Sequence, residues 1–208
     1  HTRCGRHTAG MVAYIDSLDR PVVVLSARWQ AYLRAGVFDN GEGGVERGRS
    51  FRVDRHDTAG LPTDDAAREA RVLEAYRGFL TRLADRAVVV LVHPVPEAGW
   101  SVPDQAFKRS RFLGDPVDSM DTSAAAFAAR SGPVIEMFDT LDQDTLFHVS
   151  PAKALCDAGR CATVSGGHVL YTDDDHLSAA GLARIADDVA KALADALARR
   201  DRLRAEGG

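Results

Sequence analysis

The residues with the clearest chemical potential are grouped in Tyr171-Thr172-Asp173-Asp174-Asp175-His176-Leu177-Ser178. An aspartate and a histidine three residues apart on a tight or helical turn face the same way, so Asp173 can hold one ring nitrogen of His176. The other nitrogen is then left to act as a base. Such a base needs a nucleophile to activate. No serine stands in Gly-x-Ser-x-Gly or Gly-Asp-Ser. Ser26, at the end of an apolar run, and Ser165, before Gly166-Gly167, are the nearest imitations, and both positions equally suit turn formers. Asp173, Asp174 and Asp175 also read as the cap and charged first turn of a following helix, or as three carboxylates of a weak cation site.

The elements that must position this corner alternate between strand and helix. Val22-Val23-Val24-Leu25 has the continuous apolar character of a strand buried on both faces, and Ser26-Ala27-Arg28-Trp29 follows at its carboxyl end. In open α/β sheets that edge is where ligands bind. Residues 87–92 predict a second buried strand. Between the two lie a glycine-rich, charged stretch over 36–63, read as a long loop or small hairpin excursion, and a helix from Thr63-Asp64-Asp65 to about residue 85. His93-Pro94-Val95-Pro96-Glu97-Ala98-Gly99-Trp100 leaves the second strand as a loop stiffened by two prolines.

Before the first strand, Met11, Tyr14, Ile15 and Leu18 predict an amphipathic helix that ends ahead of Pro21. Further along, helices are expected over 104–113 and 121–130, the latter capped by Asp121 or Thr122 and stopped by Gly132-Pro133. The segment 134–142 is ambiguous; residues 145–149 predict the last strand, and 168–171 a short extended lead into the acidic corner. Leu182, Ile185, Val189, Leu193 and Leu197 form the apolar stripe of a final helix, with an exposed basic tail from residue 199.

At 208 residues the chain suits one domain. A net charge of -4, from 26 basic and 30 acidic residues, excludes a dedicated nucleic-acid binder, which carries a basic stripe. No apolar run approaches the roughly 18 residues needed to span a bilayer. The sequence begins at His1 rather than Met and reads as a piece of a longer product. Cys156 and Cys161 are close enough for a turn to bridge them, or for two reduced thiols. Their spacing is neither the redox spacing nor a zinc-finger pattern. A bridge would place the chain in an oxidising compartment and leave Cys4 odd.

The block from Tyr171 to Gly181, the run Pro94-Val95-Pro96-Glu97-Ala98-Gly99-Trp100-Ser101-Val102-Pro103 and the cysteine pair together resemble the SGNH (GDSL-type) domain fused to bacterial acyltransferase-3 membrane proteins. The similarity covers most of residues 20–190. It implies a three-layer, flavodoxin-like α/β fold with a parallel sheet whose N-terminal strand is missing, a domain over 1–198 and a tail over 199–208. The implied activity is O-acyl transfer, in the first place acetyl, to a cell-surface or periplasmic glycan. The protein would lie on the extracytoplasmic side, tethered through a transmembrane acyltransferase domain, with an acyl donor and a glycan as partners and without cofactor or metal. A carbohydrate esterase, a non-catalytic glycan-binding domain and a metal-assisted hydrolase are the rivals.

Residue by residue, the resemblance makes His176 the general base and Asp173 its orienting carboxylate, and leaves Asp174 and Asp175 as solvated or capping charges. Ser26-Ala27-Arg28-Trp29 stands where SGNH enzymes carry Gly-x-Asn-Asp, so Arg28 takes the place of the oxyanion-binding Asn, with a strand-end salt bridge as the alternative. The family's Gly-Asp-Ser block has no counterpart in this sequence, and the nucleophilic serine is expected outside it. His93 and Glu97 are candidate substrate contacts. Trp29 and Trp100 are candidates for stacking on a sugar, with core packing the competing role.

Overall fold

The computed structural model describes residues 3–34, 36–48, 52–54, 58–114, 120–157 and 159–207, with the side chains of Arg3, Cys4 and Leu113 excepted, so the question of a partner for Cys4 lies outside the described residues. Helix α1 (Arg3–Asp16) precedes strand β1 (Val22–Leu25) and a short helix α2 (Trp29–Leu33). Then come α3 (Asp65–Ala84), β2 (Val88–Val92), α4 (Val102–Lys108) with a π-helical turn over Arg109–Leu113, β3 (Thr122–Ser123), α5 (Ala124–Asp139) and β4 (Leu146–Val149). The chain closes with α6 (Ala152–Leu155), the two-residue strands β5 (Arg160–Cys161), β6 (Val164–Ser165) and β7 (His168–Val169), and α7 (Ala179–Glu206).

Strands β1, β2 and β4 form a parallel sheet with β2 in the centre. All five residues of β2 are buried, as its unbroken Val/Leu run dictates. Alternation divides them. Val89 and Leu91 enter a core with Trp29, Leu33, Leu80 and Phe138, contributed by α2, α3 and α5. Val88, Val90 and Val92 pack on Ala192 and Ala196 of α7. This is the three-layer α/β arrangement with a parallel sheet that the sequence implies. A further apolar cluster, built on Ala98, Val102, Met120, Leu170 and Tyr171, lies under the aspartate turn and carries it.

Several elements depart from the sequence reading. Strand β1 is an edge strand whose outer side pairs with no other strand among the described residues, and Val24 is half exposed rather than buried. Met11, Tyr14 and Leu18 of the first segment are likewise exposed; only Ile15 of that stripe packs on the core.

Helix α5 does not stop at Gly132-Pro133; it passes through Pro133 to Asp139 and is capped by Ser123, whose Oγ accepts from Ala126 N. Proline removes the amide that would pair with the carbonyl of Ala129, and Arg34 supplies the replacement, donating through Nη2 to Ala129 O at 3.2 Å. The apolar stripe of α7 is turned toward Ile185, Ala192 and Ala196, and Leu182 is exposed. The segment from residue 199 is helical and mostly exposed. It continues α7 to Glu206, with Arg199 paired to Asp144 and Arg204 held at Asp19.

Candidate active site

The aspartate turn is a closed loop. Tyr171 and Leu177 form an antiparallel bridge, and the amide of Thr172 donates to His176 O at 2.8 Å. Inside it, Asp173 Oδ1 accepts from the amides of Asp175 (3.0 Å) and His176 (2.8 Å), an Asx-type turn that leaves Oδ2 to meet His176 Nδ1 at 2.8 Å. Three contacts fix this loop to the proline loop. Tyr171 OH donates to Pro96 O (2.8 Å), Ala98 N to Asp174 O (2.8 Å) and Val102 N to Asp173 O (2.9 Å). On its other flank Ser178 caps α7, accepting from Gly181 N and donating to Val169 O. Gly181 is required here: a Cβ at this position would lie 2.1 Å from Leu170 O.

Asp175 is the residue that sequence reasoning missed. Expected as a solvated charge, it is largely buried, places Oδ1 2.8 Å from His176 Nδ1 and sets Oδ2 2.7 Å from Arg28 Nε. Adjacent residues do not face one another on a helix, so nothing in the spacing pointed to it. The contact exists because Arg28 arrives from the end of β1.

Arg28 is clamped through Nε and Nη1, while its Nη2 has no partner among the described residues. It is bound by Glu97, by Glu46 at 2.6 Å and by Asp175, and Glu97 also accepts from Arg130 Nε at 2.7 Å. The strand-end salt bridge is present, extended into a network of three carboxylates around one guanidinium.

The electrostatics follow from these contacts. Burial favours the neutral form of Asp173, but the amide hydrogen bonds of Asp175 and His176 and the bond to the imidazole outweigh it, so its pKa is lowered. Burial pushes Asp175 up to about 6, Arg28 notwithstanding. The His176 pKa is raised, first by the hydrogen bond to Asp173 and then by the charge of Asp175. Arg28 is held still more firmly in its charged form: Glu46 and Glu97 more than offset its desolvation.

His176, Asp175, Arg28 and Ser26 share one cavity of about 360 Å³, walled on its apolar side by Val95, Leu177, Leu182 and Ile185. The His176 side chain is 73% exposed, and Nε2 has no hydrogen-bond partner among the described residues. Asp173, Asp175 and His176 offer three ligand atoms within 4.8 Å of one another and are the group fitted to a metal ion among the described residues. The Arg28 guanidinium on Asp175 opposes a second cation there.

Other expected site residues lie elsewhere. Trp29 is core: it is 5% exposed, donates from Nε1 to Val92 O at 3.1 Å and meets Tyr76 and Phe138 edge to face. His93 is buried, with Nε2 2.8 Å from His148 Nδ1 and its ring against Phe138, and desolvation lowers its pKa to about 4. It contacts no ligand space at the aspartate turn. Glu97 is buried in the arginine network rather than presented to substrate. Ser165 accepts from Arg184 Nη1 at 2.9 Å in the β6–β7 hairpin, a structural role. Trp100 lines a different cleft, beside Asp174. Cys156 and Cys161 form a disulfide with Cα atoms 3.9 Å apart.

Residues 1–191 match the family described as the SGNH domain fused to AT3 domains. No curated protein sequence matches the chain. Among solved structures it is similar to the periplasmic domain of the Salmonella ser. Paratyphi A lipopolysaccharide acetyltransferase, at 16% sequence identity and a TM-score of 0.48. The alignment covers 88% of this chain and 61% of that one, so the chain spans less than two thirds of the length of the structure it matches.

Proposed function

The chain belongs to the family of SGNH domains fused to AT3 domains, and from that premise we propose that it is the extracytoplasmic part of an O-acyltransferase, acetyl in the first place, acting on a hydroxyl of a cell-surface or periplasmic glycan. The observation that carries this reading is the His176 ring, held at Nδ1 by Asp173 at 2.8 Å and presented to a cavity with Nε2 open. That is the posture of a general base in acyl transfer. The disulfide supports an oxidising compartment.

The chemistry is two-step. A serine Oγ attacks the carbonyl carbon of the acyl donor while His176 Nε2 takes the serine proton. The donor's leaving group then departs with that proton and an acyl-serine remains. A sugar hydroxyl attacks the acyl-serine, His176 takes its proton and returns it to the serine, and the glycan ester is released. Asp173 holds the imidazole in the required tautomer and stabilises the imidazolium. Asp175, clamped by Arg28, stands on the same nitrogen.

The nucleophile is a serine outside residues 1–208. In support, among the described residues no serine is hydrogen bonded to His176, and the cavity it faces lies past the carboxyl end of β1. A fluorophosphonate probe tests this on the full-length gene product. One serine outside residues 1–208 should be labelled, and His176→Ala should abolish the labelling. Labelling that survives His176→Ala removes His176 as the base. Labelling of Ser26, lost in Ser26→Ala, would move the nucleophile into this chain.

A further inference from the structure

The aspartate turn has two sides. Asp175 and His176 face the cavity with the apolar wall of Leu177, Leu182 and Ile185. Asp174 lines a separate cleft of about 200 Å³ together with Trp100, Ser101, Asp104, Gln105 and Lys108. We propose that this second cleft is the acceptor subsite, and that it takes a neutral, hydroxyl-rich pyranose ring against Trp100. The proposal rests on the acyl-transfer reading given above and adds to it the location and chemical class of the acceptor.

The two compartments differ in the chemistry that each wants. The His176 cavity offers aliphatic surface suited to an acyl group. The Asp174 cleft offers two carboxylates, an amide, a hydroxyl and an ammonium around one half-buried aromatic ring. Planar polar side chains pair with adjacent hydroxyls, and an indole packs on the C–H face of a sugar. Arg47 also lines the cleft, so two basic side chains stand against Asp104 and Asp174. That balance favours a neutral ligand over a polyanion.

The cleft is built rather than incidental. Ala98 N and Val102 N, on either side of Trp100, bind the carbonyls of Asp174 and Asp173, so the tryptophan loop and the aspartate turn move as one piece. Asn40 Nδ2 donates to Ala98 O at 2.7 Å and Asn40 N to Gly44 O at 2.9 Å, which brings the neighbouring loop against the indole. Two glycines make that approach possible. A Cβ on Gly44 would lie 2.5 Å from Trp100 Cε3, and Gly99, at φ +80°, would place a Cβ 2.7 Å from Gly44 O. Successive Cα atoms are about 3.8 Å apart, so the Cα atoms of Asp174 and His176 are separated by less than about 8 Å. The cleft that holds Trp100 and the cavity that holds His176 thus border the same turn.

Indole ¹H–¹⁵N spectra of the 208-residue protein provide the test, because Trp29 Nε1 is fixed to Val92 O in the core and serves as an internal control. The probes are neutral hexose, 6-deoxyhexose and N-acetylhexosamine trisaccharides, with a hexuronate trisaccharide for contrast. At least one neutral trisaccharide should shift the Trp100 indole without moving that of Trp29. Gln105→Ala and Asp174→Asn should each weaken this binding about tenfold while leaving the Trp29 signal in place as evidence of folding. The proposal is overturned if no trisaccharide shifts Trp100, if both variants bind with undiminished affinity, or if the hexuronate is preferred. The titration needs no turnover. Sugar binding at Trp100 with no acyl transfer by the full-length enzyme would sink the catalytic reading and leave the subsite standing; transfer without binding at Trp100 would do the reverse.

Discussion

At the scale of single residues, the ionisation of His176 is set by two carboxylates with different behaviour. Asp173 has a lowered pKa and keeps its negative charge while accepting from Nδ1, whereas Asp175, pushed up to about 6 by burial, loses its charge just below neutrality. A general base must be neutral to accept a proton, so the transfer rate should rise with pH through the raised His176 pKa. Asp173→Asn removes the hydrogen-bonded anion: the rising limb should move to lower pH while the maximal rate falls about 100-fold or more. Asp175→Asn should give a smaller acid shift and a smaller loss. Initial rates across pH, with an NMR titration of the His176 ring in each variant, separate the two effects. The same shifts act on folding with opposite signs. The His176 contribution is present below its unfolded pKa and fades as pH rises through the folded value. The Asp173 contribution is present above its unfolded pKa and fades as pH falls through the folded one.

At the scale of elements, two junctions decide whether the corner is held. The first turn of α7 sits directly on Leu170, with Ser178 bonded to both sides of the contact. Gly181→Ala places a methyl into Leu170 O, and the helix start must move. Thermal unfolding should show a loss of about 1–3 kcal/mol, with acyl transfer reduced at temperatures where the variant is still folded. The second junction is Pro133 in α5, whose missing amide is compensated by Arg34 on Ala129 O. Arg34→Met should cost about 1 kcal/mol in the parent protein. In a Pro133→Ala background, where Ala129 O regains its helical partner, it should cost less. A double-mutant cycle in urea reads that coupling, and strict additivity would show that Arg34 has no such role.

At the scale of the whole molecule, the Cys156–Cys161 disulfide closes the loop that carries β5 and returns the chain toward β6, β7 and the aspartate turn. Its loop is short, so the chain-entropy contribution is about 2 kcal/mol. Dithiothreitol should lower the unfolding free energy of the parent by that amount, read as a lower urea midpoint, and leave a Cys156→Ala/Cys161→Ala variant unchanged; equal midpoints with and without reductant would deny the bridge a stabilising role. The sheet has the opposite character at its other boundary. Among the described residues, strand β1 ends the sheet with an unpaired side and a half-exposed Val24, and the cavity of His176 lies past its carboxyl end.

What could be read from sequence is what local periodicity and short spacing encode. The central strand is visible because five consecutive Val and Leu residues have no other comfortable place, and the Asp173–His176 contact is visible because three residues of separation on a turn bring the two side chains together. Family resemblance supplied the fold and the two roles. The rest depended on contacts between residues far apart in the chain. Val22–Leu25 has the same apolar composition as β2, yet position in the sheet made one an edge and the other a centre. Pro133 did not stop the helix, and the carbonyl of Ala129 that it orphans is met by Arg34, nearly 100 residues away in sequence. Trp29 and Trp100 look equivalent as residue types, and packing sent one to the core and the other to a polar cleft. Arg28 became the centre of a carboxylate clamp, and Asp175, expected as a solvated or capping charge, a partner of His176, through ion pairs that no spacing encodes. Local pattern determined which elements form and which pair of side chains meets; only the tertiary structure decided which charges surround that pair, because burial and long-range ion pairing are properties of the packed chain.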